Sequence, residues 1–416
     1  MSVTVPITNI FGGGDYTVQL QVGSKAVPVN VIVDTGSSTL AVQQTRYKAA
    51  DDRALNPTAW AQDVVYGTGG WAGPVVLTDL TMGADGESVT LKNAPMAIAS
   101  EQEPNNFGDA DGILGLAYTP LNGGANLHSY LVQRGINPAV TFPWPFAVQN
   151  TAAGVKQFEN FLRSMPAQSI TPYFTLLEQE GVIPNKFALY TLRSAVSAAL
   201  KDPSQDRLNA GYLVLGGGEE QNGLYTGNFV NVDVLDDLYY NTNLKAVQVE
   251  GCPAIAVKQL PQQLQAQLGS NSIIDSGTNS LVLADDVFSA IMNSLRQLSP
   301  EFVQIAEKAL KSRAGLPSTQ LKLADWPGIT FILAGENGED IPLTCAPETY
   351  WQTDAPSKGH AVFQIFPGGQ LPQSILGLPL MNNYYTVFDR SVDVSGVIRF
   401  AAVRPSAQPL AANTGR

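Results

Sequence analysis

The chain contains an internal repeat in which an apolar stretch runs into an Asp-Thr/Ser-Gly turn. Residues 30–42 read NVIVDTGSSTLAV and residues 271–283 read NSIIDSGTNSLVL, which places Asp34 and Asp275 at matching positions. A hydrophobic-hydrophobic-Gly element follows each copy, in DGILGLAY at 111–118 and in SILGLPLM at 374–381. Two related lobes that face each other would bring one aspartate from each half of the chain to a common seam.

Strand signals dominate the rest of the chain. Short runs rich in Val, Ile, Thr and Tyr recur between Gly, Pro and Asn residues, as in DYTVQLQVG, VPVNVIVDTG, GPVVLTDLTMG, GYLVLGGG, TGNFVNVDVL, LKAVQVEG, GITFILAG and YYTVFDR. Apolar residues spaced three and four apart predict helices chiefly at 157–165, 173–179 and 285–298. We therefore predict a mostly β fold.

The repeat predicts two related halves. The chain length agrees, because 416 residues exceed the length of one typical domain. The small-residue and polar stretch at 193–210 has the composition of a linker between strand-rich halves. The predicted organisation is an N-terminal β lobe at 1–192 with an elaborated insertion at about 121–170, an interlobe linker at 193–210, a C-terminal β lobe at 211–405 and a flexible tail at 406–416.

Charge and hydropathy exclude several partners. The formal net charge of −12 repels phosphate backbones and anionic membranes, so we expect neither a nucleic-acid nor a membrane partner. The first twenty residues lack the stages of a signal peptide, and the chain has no uninterrupted apolar stretch of ~18 residues that could span a bilayer. We expect a soluble protein, and its compartment stays open.

The cysteine and histidine content limits other chemistries. Cys252 and Cys345 are the only cysteines, so at most one disulfide is expected, and whether they are bridged stays open. His128 and His360 are the only histidines and belong to no spaced set of metal ligands, so we expect no metal and no other cofactor. A serine or cysteine triad would have to use one of these two histidines.

Each aspartate of the repeat is predicted to lie on a tight turn at the end of a buried strand. A lone Asp-Thr-Gly is more often an ordinary turn, because Asp and Gly favour turns for local reasons. If the two loops meet, however, both carboxylates cannot ionise cheaply, and the pair shares a proton in mild acid. The ionised member can then take a proton from a trapped water while the protonated member polarises a carbonyl, which is general acid–base hydrolysis.

The chain resembles the pepsin family of aspartic peptidases, of the pepsin and cathepsin D type. The matching stretches run in family order over nearly the whole chain: VIVDTGSSTLAV, VVYGTGGWAG, DGILGLAY, FALYTL, GYLVLGGGEEQNGLYTGNF, SIIDSGTNSLVL, GITFILAGENGEDIPLTCAPETY and ILGLPLMNNYYTVFDR. The resemblance implies a bilobal pepsin-like fold with a central cleft and an aspartic endopeptidase activity at acidic pH without cofactors. It also implies peptide or unfolded-protein substrates and pepstatin-type inhibitors, and we expect a monomer.

The resemblance carries roles over to matching residues. Asp34 and Asp275 are the implied catalytic dyad, and the residues implied to support them are Thr35, Gly36, Ser37, Ser276, Gly277 and Thr278. The implied flap, which closes over an extended peptide, contains Tyr66, Gly67 and Thr68. The implied walls of a pocket that prefers apolar or aromatic side chains are Ile32, Phe107 and Ile113.

The chain departs from the family at one position near the flap. Ala41 stands where the family usually carries a Trp that supports the flap Tyr, and Trp71 or Trp60 is a candidate substitute. A pepsin-like protein kept as a catalytically silent binding or inhibitor protein is therefore the alternative to a peptidase. A serine hydrolase is a more distant third hypothesis.

Overall fold

The computed structural model describes residues 2–66, 69–84, 86–102, 107–146, 152–312 and 314–404. The chain divides into two compact units. The N-terminal unit comprises residues 17–182, and the C-terminal unit comprises residues 1–16 together with the chain from 183 onward.

Strands make up most of the regular structure. In chain order they are β1 (Val3–Gly12), β2 (Asp15–Val22), β3 (Val27–Asp34), β4 (Leu40–Gln43), β5 (Asn56–Tyr66), β6 (Gly69–Ala84), β7 (Glu87–Ala99), β8 (Glu101–Gln102), β9 (Gly112–Gly115), β10 (Gly123–Asn126), β11 (Ala167–Ser169), β12 (Lys186–Tyr190), β13 (Ala210–Leu215), β14 (Tyr225–Asp233), β15 (Asn241–Thr242), β16 (Leu244–Val249), β17 (Ile255–Ala256), β18 (Ser272–Ile274), β19 (Leu281–Leu283), β20 (Leu316–Pro317), β21 (Ile329–Ala334), β22 (Asp340–Cys345), β23 (Trp351–Thr353), β24 (His360–Phe363), β25 (Ile365–Pro367), β26 (Ser374–Leu376), β27 (Tyr384–Asp389) and β28 (Val397–Val403).

Helices are fewer and lie mainly in the second half of the chain. The α-helices are α1 (His128–Gln133), α2 (Ala152–Arg163), α3 (Tyr173–Gln179), α4 (Gln262–Leu268), α5 (Asp285–Leu298), α6 (Pro300–Leu310), α7 (Pro347–Tyr350) and α8 (Leu378–Met381). Short 3-10 turns occur at Ala49–Asp51, Thr119–Leu121, Pro203–Gln205, Arg207–Asn209, Ser318–Gln320, Leu323–Asp325 and Glu336–Gly338. None of the helices that the structure describes is long and apolar enough to cross a membrane.

In the N-terminal unit the strands follow the order β11-β10-β5-β6-β7-β4-β9-β3-β2, with β8 paired to β6. Strand β3 is buried over most of its length and lies between β2, which is antiparallel to it, and β9, which is parallel. This central position follows from its run of Val and Ile residues, since a strand with neighbours on both sides and both faces covered needs apolar side chains throughout.

The C-terminal unit contains several sheets. One follows the order β1-β13-β12-β27-β28-β14, and a second follows β15-β18-β26-β19-β25. Two smaller sheets follow β17-β16-β21-β22 and β20-β24-β23. Helices α5 and α6 are amphipathic and bury apolar side chains such as Ile291 and Val303.

The predicted fold class is confirmed, because the described chain is mostly β. Two predicted helices coincide with α3 and α5, and the third overlaps α2. The prediction missed α6, whose start is marked by Ser299, a residue that accepts a hydrogen bond from the Glu301 amide and precedes a Pro at the first helical position.

The boundaries of the units differ from the predicted lobes at the start of the chain. The prediction assigns residues 1–16 to the first lobe, but β1 pairs antiparallel with β13 in the C-terminal unit, with Val3 opposite Leu215. The predicted linker at 193–210 also lies in the C-terminal unit and contains two 3-10 turns. The predicted tail at 406–416 lies outside the described residues.

Candidate active site

Asp34 is the last residue of β3 and is buried, with 6% of its surface exposed. One carboxylate oxygen, Oδ1, accepts a hydrogen bond of 2.8 Å from the Gly36 amide, and the other, Oδ2, accepts one from the Ser37 hydroxyl. The Asp34 carbonyl accepts a hydrogen bond of 2.7 Å from the Leu116 amide, at the end of β9. Both the carboxylate and the backbone of Asp34 are therefore fixed by the residues around them.

The parallel neighbour β9 holds the turn that follows Asp34. Gly115 lies opposite Asp34 in the strand register, and its amide donates to the Thr39 carbonyl at 3.0 Å. A Cβ atom on Gly115 would lie 2.5 Å from backbone atoms of Ser38. Only glycine can fill this position without displacing the loop, which explains the Gly of the hydrophobic-hydrophobic-Gly element.

Asp275 has the same local surroundings in the C-terminal unit. It follows β18 and is buried, with 7% of its surface exposed. Its Oδ1 accepts 2.8 Å from the Gly277 amide, and its Oδ2 accepts 2.6 Å from the Thr278 hydroxyl. Strand β26 runs parallel to β18, and a Cβ on Gly377 at its end would lie 2.2 Å from the Thr278 carbonyl.

The two loops thus repeat the same arrangement, residue for residue. In each, a glycine amide two positions after the aspartate and a hydroxyl three positions after it bind different oxygens of the carboxylate. Thr35 and Ser276, which directly follow the aspartates, are both buried. The structure therefore groups the predicted dyad and its supporting residues into two loops, one in each unit.

The predicted pocket walls lie together in the N-terminal unit. Ile32, Phe107 and Ile113 are buried members of one hydrophobic cluster. Ala41 and Trp71 belong to the same cluster, and Trp60 packs against it. Trp71 and Ala41 therefore share one cluster, and Trp71 stays a candidate substitute for the Trp that the family usually carries at this position.

The predicted flap falls on a β-hairpin. Strands β5 and β6 pair antiparallel, with Val64 opposite Trp71 and the backbone of Tyr66 opposite that of Gly69. Gly67 and Thr68 lie outside the described residues, as does the side chain of Tyr66. The hairpin is therefore described as far as Tyr66 on β5 and from Gly69 on β6.

Several residues around these loops carry no sequence signal that marks them individually. The sequence marks Gly115 and Gly377 only as part of an element, and the repeated Ile-Leu-Gly is the signal of their common role. Asn122, which binds both Thr39 and Gln62, was not predicted at all. Within the described ranges, no group of three or more His, Cys, Asp or Glu side chains could hold a metal ion.

A comparison with protein families gives a match over most of the chain. The profile described as "Eukaryotic aspartyl protease" matches residues 15–137 and 162–402. Both aspartate loops, both strands of the β5–β6 hairpin and both Ile-Leu-Gly elements lie in the matched ranges. The residues between the matched ranges, 138–161, fall within the predicted insertion at 121–170.

Individual relatives are distant but cover most of the chain. Gastricsin from Cavia porcellus is 21% identical over 388 residues, which cover 90% of this chain and 77% of gastricsin. Cathepsin E from Aquarana catesbeiana is 24% identical over 392 residues, with coverages of 90% and 77%. Vacuolar protease A from Neurospora crassa is 22% identical over 409 residues, with coverages of 94% and 80%. The chain belongs to the eukaryotic aspartyl protease family.

Proposed function

We propose that this protein is an aspartic endopeptidase in which Asp34 and Asp275 together activate a water molecule for peptide hydrolysis. The observation that carries the proposal is the matched binding of the two carboxylates. Each has one oxygen held by a glycine amide and the other by a hydroxyl, in two loops from distant parts of the chain. An aspartate that only stabilises a turn does not require a second copy in which a glycine amide and a hydroxyl bind the carboxylate in the same way.

The proposed chemistry follows from bringing two such carboxylates together between two related lobes. Two like charges in one site favour a state in which one member is ionised and the other protonated. The ionised carboxylate accepts a proton from water as the water attacks the scissile carbonyl carbon, and the protonated carboxylate donates a hydrogen bond to the carbonyl oxygen. No covalent intermediate with the enzyme forms, and acidic pH favours the singly protonated pair.

The proposed substrates are extended segments of peptides or unfolded proteins. The hairpin of β5 and β6 is the element that would close over such a segment, and the flap residues of the proposal are Tyr66, Gly67 and Thr68. The cluster that contains Ile32, Phe107 and Ile113 is apolar, which favours apolar or aromatic side chains beside the scissile bond. The names of the relatives gastricsin, cathepsin E and vacuolar protease A support a proteolytic role.

Digestion of a denatured protein from about pH 3 to about pH 7, with and without pepstatin, tests the proposal. We expect cleavage that is fastest in acid and is blocked by pepstatin. Folded protein that cleaves nothing at any pH would contradict the proposal and favour a silent binding protein. Cleavage that pepstatin leaves unchanged and a serine-directed reagent abolishes would favour a serine hydrolase.

A further inference from the structure

The first arm of the flap hairpin is irregular at its base. The pairing of β5 with β6 shifts register between Pro57 and Ala61. In this stretch the Thr58 carbonyl accepts a hydrogen bond of 2.8 Å from the Thr141 amide, and the Ala59 carbonyl accepts 2.9 Å from the Leu127 amide. The base of the hairpin is therefore held from outside the β5–β6 ladder.

All of these donors come from one segment, residues 122–141. Its strand β10 pairs antiparallel with β5, with Ala125 opposite Ala61. The Thr141 side chain is fully buried, and its hydroxyl contacts the Trp60 carbonyl at 2.6 Å. The segment thus adds a strand to the edge of the hairpin and binds its irregular stretch, so the hairpin base cannot move unless these bonds break.

The same segment begins with a residue that contacts the loop of Asp34. The Oδ1 atom of Asn122 accepts a hydrogen bond of 2.9 Å from the Thr39 hydroxyl and one of 2.8 Å from the Gln62 side-chain amide. Gln62 lies on β5, and Thr39 lies five residues after Asp34. One oxygen atom therefore joins the aspartate loop to the flap strand.

The hydrogen bonds that join Asn122 to Thr39 and Gln62 are buried. Exposure is 3% for Asn122, 1% for Gln62 and 4% for Thr39, so water cannot replace Asn122 as the partner of the two donors without rearrangement. The Gln62 amide also donates to the Gly123 carbonyl at 3.1 Å, which fixes its orientation. A buried network of this kind has one preferred geometry, and a shift of either end strains the other.

We propose that Asn122 is a positioning residue that couples the flap strand β5 to the loop of Asp34, within a brace formed by residues 122–141. The effect of this coupling on catalysis rests on the proposed function, whereas the coupling itself does not. Closure of the hairpin over a peptide then depends on the geometry of the loop that carries Asp34, and the brace limits how far the hairpin base opens.

Replacement of Asn122 by Leu tests the brace in a way that does not depend on activity. The variant Asn122→Leu leaves the Thr39 hydroxyl and one of the two Gln62 side-chain N–H groups without their acceptor, so hydrogen–deuterium exchange of the hairpin peptides at 56–66 and 69–84 should accelerate by about tenfold. Thr330→Val, at a threonine on β21 whose hydroxyl bonds that of Thr344 in the C-terminal unit, is the matched control and should leave this exchange unchanged. Unchanged hairpin exchange in folded Asn122→Leu would overturn the proposal.

A second pair of variants covers the case in which Asn122→Leu does not fold. Thr39→Val is nearly isosteric and removes the hydrogen bond from Thr39 to Asn122, whereas Thr39→Ser keeps the hydroxyl. Faster hairpin exchange in the Val variant, with exchange restored in the Ser variant, supports the coupling. Equal exchange in the two variants overturns it.

The wild-type protein provides a further measurement. Amides at 122–141 and at 56–66 should show the same protection within about threefold, because one opening event exposes both. Amides at 122–141 that open about 100-fold more often than those of the hairpin would overturn the brace.

Kinetics then separate this inference from the proposed function. With a peptide substrate, Asn122→Leu should raise KM by about tenfold and change kcat less, since a poorly held flap weakens binding of the extended chain. If the wild-type protein cleaves nothing, the proposed function fails, and the exchange data still decide the brace. If the wild type cleaves and Asn122→Leu has an unchanged KM, the consequence proposed for catalysis fails alone.

Discussion

The loop of Asp34 leads through β4 into the hairpin of β5 and β6, whereas the loop of Asp275 leads through β19 into the helices α5 and α6. The carboxylates nevertheless accept the same two kinds of hydrogen bond from residues at the same offsets. The comparison teaches that loop geometry is fixed locally, by the turn sequence and the parallel strand beside it. The elements that follow each loop are free to differ and to give the two units different tasks.

The largest expected effect tests whether the two loops are equivalent in function. Asp34→Asn and Asp275→Asn should each lower kcat/KM by about 10³-fold or more, because neither asparagine can act as base or acid. An amide oxygen can still accept the bonds from Gly36 and Gly277, so both variants should melt near the wild-type temperature. Rates come from a peptide assay, and circular dichroism is the control for folding.

An unequal result would break the comparison. If one of the two variants kept near wild-type activity, its loop would be a structural copy only. The paired-carboxylate mechanism would then be wrong.

The next effect tests the strand beside each loop. Gly115→Ala and Gly377→Ala should each lower the free energy of unfolding by about 3 kcal/mol, because the added methyl overlaps backbone atoms of the adjacent turn. Gly123→Ala and Gly223→Ala are matched controls in the N-terminal and C-terminal units, since a Cβ at either position meets nothing within 4 Å. Urea unfolding measures the difference. A cost in only one unit would show that the two strands do not hold their loops alike.

The repeat also marks the limit of what the sequence could predict. The aspartate loops and β3 were predictable because a run of Val and Ile before Asp-Thr-Gly has few other solutions, and helix α5 was predictable from its apolar spacing. The role of Asn122 was not, because its partners Thr39 and Gln62 are 83 and 60 residues away and a bond between distant side chains leaves no periodic pattern. Features that repeat along the sequence can be predicted from it, whereas hydrogen bonds between residues distant in sequence cannot.

A smaller effect compares the two hydroxyls that bind the carboxylates. Ser37→Ala and Thr278→Val each remove one donor to a buried carboxylate oxygen, and each should lower kcat/KM by about tenfold. Thr278→Ser and Ser37→Thr keep the hydroxyl and should keep most of the activity. A loss at one loop and none at the other would indicate that only one carboxylate depends on its hydroxyl for orientation.

The dependence of stability on pH compares two carboxylates away from the loops. Burial raises the pKa of Asp52, but hydrogen bonds from the Ser24 amide, Thr78 and Tyr47 outweigh it and leave the pKa below its usual value. In the C-terminal unit, burial likewise opposes ionisation of Asp389, and bonds from Ser391 and Lys186 lower its pKa. A carboxyl group with a lowered pKa stabilises the fold above the unfolded-state pKa of about 4, and this stability is lost as the pH falls through the folded-state pKa.

Asp52→Asn and Asp389→Asn should therefore each lower the melting temperature at about pH 6 by about 3 °C. The difference from the wild type should shrink below about pH 4, where the wild-type protein loses the same stabilisation. Thermal melts at a series of pH values measure it. A difference that stays constant to about pH 2 would show that packing, and not charge, is responsible.

The smallest expected effect concerns the cysteines. Both lie in the C-terminal unit, because residues 17–182 contain none. Cys252 and Cys345 are both buried free thiols, and burial raises the pKa of the Cys345 thiol to about 12. The Cys345 sulfur contacts the Thr349 hydroxyl and the Pro379 carbonyl, each at 3.2 Å, whereas the Cys252 sulfur donates to the Ser294 carbonyl at 3.6 Å.

Since the two thiols have different partners, a reducing agent should leave the melting temperature unchanged within about 1 °C. Iodoacetamide should add no mass to the folded protein and should label both thiols in urea, because both thiols are buried and the reagent reaches them only when the chain unfolds. A melting temperature that falls on reduction would instead show a bridge in the C-terminal unit. The N-terminal unit, which has no thiol to reduce, is the internal reference in that experiment.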